Sequence, residues 1–173
     1  PKLEIASNDL NFKHELGVDS LDMAEFVARI EQEYRIEIPD EDWSQISEIR
    51  QAVSKQLEQL RTSGDIGSSL EADVSVYLPE DVLKTATSFG DELRFVLITS
   101  EAKAVSLAEK PEAAELVTMT FGDMAVTAKV AQGEKCARCW HVREDVGTVT
   151  GHETICGRCV ENIETDGEMR HFA

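Results

Sequence analysis

The sequences KCARCW at residues 135–140 and ICGRCV at residues 155–160 each contain two cysteines separated by two residues. Sixteen residues lie between the two pairs. A CxxC turn points two thiols to one side of the backbone, and two such turns at the ends of a hairpin supply the four sulfur ligands of a tetrahedral zinc ion. We therefore predict one zinc site, formed by Cys136, Cys139, Cys156 and Cys159.

Other chemistries of paired cysteines fit less well. Redox CxxC motifs usually occur singly beside a βαβ unit. A four-cysteine iron site has similar spacing, so the sequence does not exclude iron as the metal. Because the protein fills all four positions of the tetrahedron, no water is activated, and we expect a structural zinc ion. His141 and His152 are then surface residues or neighbours of the ligands. The tail has little core of its own, so we expect it to unfold without metal.

Two helical patterns precede the cysteines. Apolar residues recur at helical spacing after Asp19 and Ser20, which predicts a helix to about Tyr34. A second stripe predicts a long helix that opens after Pro39 and ends near Arg61. The small residues of the run TSGDIGSS at 62–69 predict a linker.

The patterns change to a mixture of strands and helices after the linker. Residues 72–78 alternate as a half-buried strand, and residues 79–89 form a helix that Gly90 ends. Residues 93–99 are apolar on both faces and predict a central strand, whereas residues 101–114 predict a surface excursion. Two further strands, 116–121 and 124–130, are predicted to form a tight hairpin across Gly122 and Asp123.

The charge balance limits the kind of partner that this chain can bind. The 173 residues contain 17 Lys and Arg against 34 Asp and Glu, a formal net charge of -17. Bulk attraction cannot hold RNA on so acidic a protein, so any RNA contact must be local or assisted by another part of a larger assembly. We find no membrane-spanning or secretory segment and expect a cytoplasmic protein. The first residue is Pro1, which suggests a fragment or a processed product.

The carboxyl-terminal part resembles the tail of bacterial isoleucyl-tRNA synthetases. The similarity rests on separated motifs in the same order, from about residue 42 to the end: GSSLEA at 67–72, GDELRFVL at 90–97, GEKCARCWH at 133–141, ICGRCV at 155–160, DGE at 166–168 and FA at 172–173. The resemblance implies a non-catalytic zinc module that helps to hold tRNA. The HIGH and KMSKS signatures of class I synthetases are absent, so we expect no aminoacylation by this chain alone. Close to the cysteines, the candidates for RNA contact are Lys135, Arg138, Trp140, Arg143 and Arg158.

The amino-terminal part is similar to an acyl carrier protein. The sequence ELGVDSLD at 15–22 and the acidic residues that follow carry this resemblance, from about residue 11 to 42. It implies phosphopantetheine on Ser20 and basic partner enzymes, although an isolated Asp-Ser pair also reads as a helix cap. The first helix of a carrier bundle has no counterpart before Asp19. Residues 40–57 suit both families, so the chain passes from one to the other within them.

Together these observations predict an α+β chain that ends in a zinc ribbon. The predicted parts are an incomplete carrier-like helical segment (1–43), a helix resembling the end of an anticodon-binding domain (44–62), a small α+β layer with antiparallel strands (70–131) and the ribbon (133–173). The leading hypothesis is a tRNA-assisting fragment of an isoleucine-tRNA ligase. The alternatives are an acyl carrier module modified on Ser20 and a protein-interaction ribbon that binds no RNA.

Overall fold

The computed structural model describes the backbone of residues 40–170 and the side chains of residues 44–170. Ser20 and the helix predicted to begin there lie outside the described residues. The helices are α1 (Asp40–Ser63), α2 (Glu80–Ser88), α3 (Leu93–Leu97) and α4 (Gly157–Glu164). The strands are β1 (Ala72–Leu78), β2 (Glu101–Ser106), β3 (Leu116–Met119), β4 (Gly122–Val130), β5 (Glu134–Lys135) and β6 (Val142–Arg143). Among the described residues, none of the helices combines the length and the apolar composition that a membrane span requires.

Helix α1 confirms the long helix that the apolar stripe predicts. Its apolar positions recur every three or four residues, so they lie on one face, and that face is buried in the main core: Ile46, Ile49, Val53 and Leu57. Its polar face also makes one long-range contact. The Glu48 carboxylate accepts hydrogen bonds from the backbone N–H (2.9 Å) and the hydroxyl of Thr120, at the turn between β3 and β4.

A four-stranded sheet with the order β2-β1-β4-β3 packs against this helix. Strand β4 runs antiparallel to β1 and to β3, which confirms an α+β layer with antiparallel strands. Strands β1 and β2 add one parallel pair, because the chain between them passes through α2 and α3 and returns in the same direction. Both predicted elements at the start of the layer, the strand at 72–78 and the helix after Pro79, are confirmed.

Three local predictions in this layer are wrong. Residues 93–97 form helix α3 and not a central strand, and Ile98 ends that helix in the left-handed conformation with φ 56°. The predicted surface excursion begins with strand β2. In the hairpin, Met119 pairs with Gly122, so the connecting residues are Thr120 and Phe121, two positions earlier than predicted.

The main core lies between the sheet and helices α1, α2 and α3. Alternate β1 residues from Ala72 to Leu78 point into it, as the period of two predicts. Ile66, from the segment predicted as a linker, is buried in the same core. On the opposite face of the sheet, Tyr77, Ala114 and Ala125 form a smaller cluster.

Residues 133–170, here called the cysteine module, follow β4 directly. Strands β5 and β6 pair antiparallel around the first CxxC sequence, and α4 begins within the second. Gly133 makes the close entry to this module possible. Its φ is +111°, and a Cβ atom there would come within 2.4 Å of the Arg143 backbone. A side chain at this position would therefore force β5 and β6 apart.

Candidate metal centre

The first cysteine pair is held by a tight turn between β5 and β6. The Cys136 N–H donates to the His141 carbonyl, and the Trp140 N–H donates to the Cys136 carbonyl, each over 2.9 Å. Trp140 closes the turn with φ 66°, a conformation that costs a non-glycine residue roughly 1 kcal/mol or more. This turn places the Cys136 and Cys139 thiols on the same side of the chain.

The second cysteine pair lies at the start of helix α4. Cys156 is the N-cap residue, and Cys159 lies in the first turn, with the Val160 N–H bonded to the Cys156 carbonyl over 3.1 Å. The expectation of two equivalent turns at hairpin ends is therefore wrong for this pair. A helix start serves the same purpose, because the positive end of the helix dipole favours thiolates there.

The four sulfur atoms converge on one point. The distance from Cys136 Sγ to Cys159 Sγ is 3.7 Å, and so is that from Cys139 Sγ to Cys156 Sγ. All four sulfurs lie within 4.8 Å of one another. A tetrahedral zinc ion with Zn–S bonds of about 2.3 Å requires sulfurs about 3.8 Å apart, whereas a disulfide requires about 2.05 Å. The residues present therefore fit a four-coordinate thiophilic metal and do not form disulfides.

The surroundings of the sulfurs act on their pKa values in opposite directions. Burial raises the pKa of the Cys156 thiol to about 12, and burial also raises the pKa of Cys159. Burial acts to raise the pKa of Cys136 as well, but the backbone N–H groups of Cys139, Cys156 and Arg138 outweigh it and lower the pKa to about 6. A metal would therefore have to displace protons from buried thiols, which makes its affinity depend on pH.

Two histidines flank the cluster in different environments. His141 is buried, with Nδ1 3.2 Å from the Cys139 carbonyl, so that nitrogen carries the proton and donates. Burial and the charges of Arg158 and Arg94 lower the pKa of His141 to about 4. His152 lies further out and pairs with Glu164 Oε1 over 2.7 Å. Neither histidine is in the sulfur cluster, so both are neighbours of the candidate ligands.

The candidate RNA-contact residues differ in how freely they face solvent. Trp140 is 62% exposed. The Lys135 ammonium lies 2.9 Å from a Glu71 carboxylate oxygen, and Arg143 Nε lies 3.7 Å from Asp145 Oδ1. Arg138 donates to the Cys159 sulfur over 3.6 Å, and Arg158 pairs with Glu168 Oε1 over 2.8 Å. Each of these four cations thus already has a partner within the chain.

Phe95 and Ser100 join the cysteine module to the sheet. The Ser100 hydroxyl accepts from the Val142 N–H over 2.8 Å and donates to the Leu70 carbonyl over 2.5 Å. The Phe95 ring meets the His141 ring edge-on at 5.8 Å. Three guanidinium groups lie over the same ring at 4.8, 4.9 and 4.2 Å, from Arg94, Arg158 and Arg170.

Sequence reasoning missed both residues that join the module to the sheet. Phe95 is part of the GDELRFVL motif that carries the family resemblance. Its place in that motif was the one feature of the sequence that could have marked it as important. No local pattern distinguishes Ser100, because its role depends on a contact with a residue 42 positions away.

Comparison with known proteins agrees with this geometry. Residues 133–162 match the family described as a zinc finger found in FPG and IleRS, and residues 1–57 match the family described as a phosphopantetheine attachment site. The chain is 45% identical over 137 residues to the isoleucine--tRNA ligase of Shewanella halifaxensis and 44% identical over the same length to that of Vibrio campbellii. Each alignment covers 79% of this chain and 14% of the relative.

Both resemblances expected from the sequence are thus confirmed. The chain spans about 14% of the length of the curated relatives that it matches. The ligase alignment covers 137 of the 173 residues, so it must include some of residues 1–57. The match to the ligases and the match to phosphopantetheine attachment sites therefore overlap. Over 79% of its length, this chain is homologous to isoleucine–tRNA ligases, and it carries a zinc finger of the FPG and IleRS kind after a segment that matches phosphopantetheine attachment sites.

Proposed function

We propose that this chain is a zinc-stabilised, non-catalytic part of an isoleucine–tRNA ligase that helps the enzyme to hold tRNA. The observation that carries the proposal is the convergence of four cysteine sulfurs within the cysteine module, which matches the zinc finger found in FPG and IleRS. Four free thiols close together are typical of a reducing compartment, which supports a cytoplasmic protein. The tRNA and the remainder of the synthetase are the proposed partners.

The proposed metal is one structural zinc ion. Cys136, Cys139, Cys156 and Cys159 would hold it, and four protein ligands leave no open position for a substrate or a reactive water. Bound zinc would supply cross-linking between the β5–β6 turn and α4, which share only a small cluster of buried residues. A structural zinc site contributes about 10–16 kcal/mol of apparent binding free energy, comparable to the stability of a whole domain.

For contact with tRNA we propose Trp140 as the central residue. Its indole is exposed, while its backbone is fixed by the turn that positions the cysteines. A rigidly held aromatic ring can stack on an unpaired base at low entropic cost. Lys135 and Arg143 would add local positive charge, although each also has a carboxylate partner within the chain. With a net charge of -17, the chain needs such a local arrangement.

The test is tRNA binding by the zinc-loaded chain across a series of salt concentrations. We expect binding at low salt that weakens as salt rises, and a loss of roughly 1–3 kcal/mol in binding free energy for Trp140→Ala. Ile163→Ala is a matched control, because Ile163 is also an exposed apolar residue of the cysteine module. No binding at low salt would contradict the RNA role and leave the protein-interaction ribbon as the better description.

The match to phosphopantetheine attachment sites supports a second candidate, an acyl carrier module with Ser20 modified. That match includes residues 40–57 of α1. The apolar face of those residues is already buried in the core with the sheet, and Ile49 is 0% exposed. The apolar face of α1 packs against the sheet, and the same face cannot also be buried in the core of a carrier bundle.

Incubation with a phosphopantetheinyl transferase and coenzyme A, followed by mass spectrometry, tests the carrier candidate. No mass gain by the full chain would remove this candidate. A stoichiometric gain on Ser20 would establish the carrier function and require a partner enzyme for the acyl group. Ser20→Ala is the control for modification at another hydroxyl.

A further inference from the structure

The two cysteine pairs share one feature that zinc ligation does not use. In both CARC at 136–139 and CGRC at 156–159, an arginine precedes the second cysteine. Arg138, from the first pair, donates from Nη1 to the sulfur of Cys159 in the second pair over 3.6 Å. Arg158, from the second pair, lines the same small cavity as Cys139 of the first pair. Arg138 thus contacts a sulfur of the opposite pair, and Arg158 lies near a cysteine of the opposite pair.

Arg158 is mostly buried and shares its carboxylate partner with a second arginine. Its side chain is only 18% exposed, so its charge requires compensation. Glu168 lies 2.8 Å from it, but the same carboxylate lies 2.6 Å from Arg170. Arg158 therefore shares this carboxylate with a second guanidinium.

Neither arginine occupies a position that is otherwise favourable for a cation. Arg158 lies in the first turn of α4, where the helix dipole disfavours a cation. For Arg138, no carboxylate of the described residues lies within ion-pairing distance, and its hydrogen-bond partner is the Cys159 sulfur. A zinc ion with four thiolates carries a net charge of -2, and this buried charge also requires compensation.

We propose that Arg138 and Arg158 are positioning residues that neutralise the zinc–thiolate centre, each through a sulfur of the opposite cysteine pair. The proposal rests on zinc binding as proposed above. Two guanidinium charges balance the net charge of the centre. The interactions of Arg138 and Arg158 with the opposite cysteine pair also hold the β5–β6 turn against α4, in addition to the bonds to the metal. Hydrogen bonds to thiolate ligands strengthen metal retention, and loss of one such neighbour typically lowers metal affinity 10–100-fold.

The experiment measures the zinc affinity of the full chain by competition with a chromogenic chelator of known affinity. We expect Arg138→Gln and Arg158→Gln each to weaken zinc binding about 10–100-fold, and the corresponding lysine variants to recover part of the loss. Arg50→Gln, at an exposed position of α1, should stay within about twofold of the wild type. Glu168→Gln removes the carboxylate partner of Arg158 but keeps the cation beside sulfur, so zinc affinity should not fall.

Cobalt(II) substitution gives a second readout that packing alone would not move. Removing a cation beside a thiolate raises the energy of the sulfur electrons, so the sulfur-to-cobalt charge-transfer band should shift to lower energy in both glutamine variants. Unchanged zinc affinity and an unmoved band in those variants would overturn this inference alone. A wild-type chain that binds no zinc would overturn the proposed function and this inference together.

Discussion

Phe95 should contribute more to the stability of this fold than its apolar surface alone predicts. Its ring lies between the sheet domain and the cysteine module, with three guanidinium groups over it and the His141 ring at its edge. The perturbation of choice is Phe95→Leu, because leucine keeps much of the apolar volume and removes the aromatic ring. The variant therefore isolates the ring interactions from the burial of apolar surface.

The expected cost follows from the contacts. A cation over an aromatic face is worth about 0.5–1 kcal/mol at an exposed site, and three of them lie within 4.9 Å of this ring. An edge-on pair of rings adds about 0.5–1.5 kcal/mol. Contributions from neighbouring cations do not add fully, because the cations repel one another. We therefore expect the ring interactions to be worth about 2 kcal/mol.

Urea unfolding at saturating zinc, followed by circular dichroism, measures this cost. Phe121→Leu is the matched control, because Phe121 packs partly buried against the main core and no guanidinium of the described residues lies over its ring. Such size-conserving replacements usually cost less than about 1.5 kcal/mol. We expect Phe95→Leu to exceed the control by about 2 kcal/mol, or about 1 M in the urea midpoint. A difference below about 0.5 kcal/mol would refute the reasoning.

Three further substitutions test other parts of the fold. Ile49→Ala should lower the free energy of unfolding by about 2–5 kcal/mol in the same urea assay, because the residue is fully buried between α1 and the sheet; a loss below about 1 kcal/mol would contradict that packing. Ser100→Ala should cost about 1–3 kcal/mol, since it leaves the part-buried Val142 N–H without its partner; stability equal to the wild type would show that this bond does not join the module to the sheet. Lys135 and the Gly67 N–H lower the pKa of Glu71 below 4.5, so this carboxylate stabilises the fold above that pH and loses the effect as the pH falls through its folded pKa. Glu71→Gln should therefore cost about 0.5–1 kcal/mol at pH 7, and this cost should shrink as the pH falls below 4.5; a cost that does not change with pH would exclude a charge effect.

The elements that the sequence predicts well have one buried face. Strand β1 alternates with a period of two, and the stripe of α1 recurs at helical spacing, because each packs against a single layer. The cysteine cluster was predictable for a different reason. Paired thiols at fixed spacing have few chemical uses, and the spacing alone brings two sulfurs of each pair together.

The wrong predictions arise where burial or pairing comes from distant parts of the chain. Residues 93–97 are apolar except for Arg94, and periodicity cannot distinguish a buried helix from a buried strand in so short a run. Strand β2 is rich in alanine and charge, and it is a strand because β1 offers a parallel edge for pairing. Likewise, Arg138 and Arg158 each lie near the opposite cysteine pair because the two pairs meet in the fold, and no local pattern could predict that meeting.

The most direct test of the central claim is the metal content of the purified full chain, by elemental analysis together with native mass spectrometry. The four converging sulfurs predict one zinc ion per chain, lost when Cys136 and Cys159 are both replaced by serine. The same measurement separates zinc from iron, which sequence spacing leaves open. A chain that folds with no bound metal, or that holds its zinc equally well without these two thiols, would contradict the account.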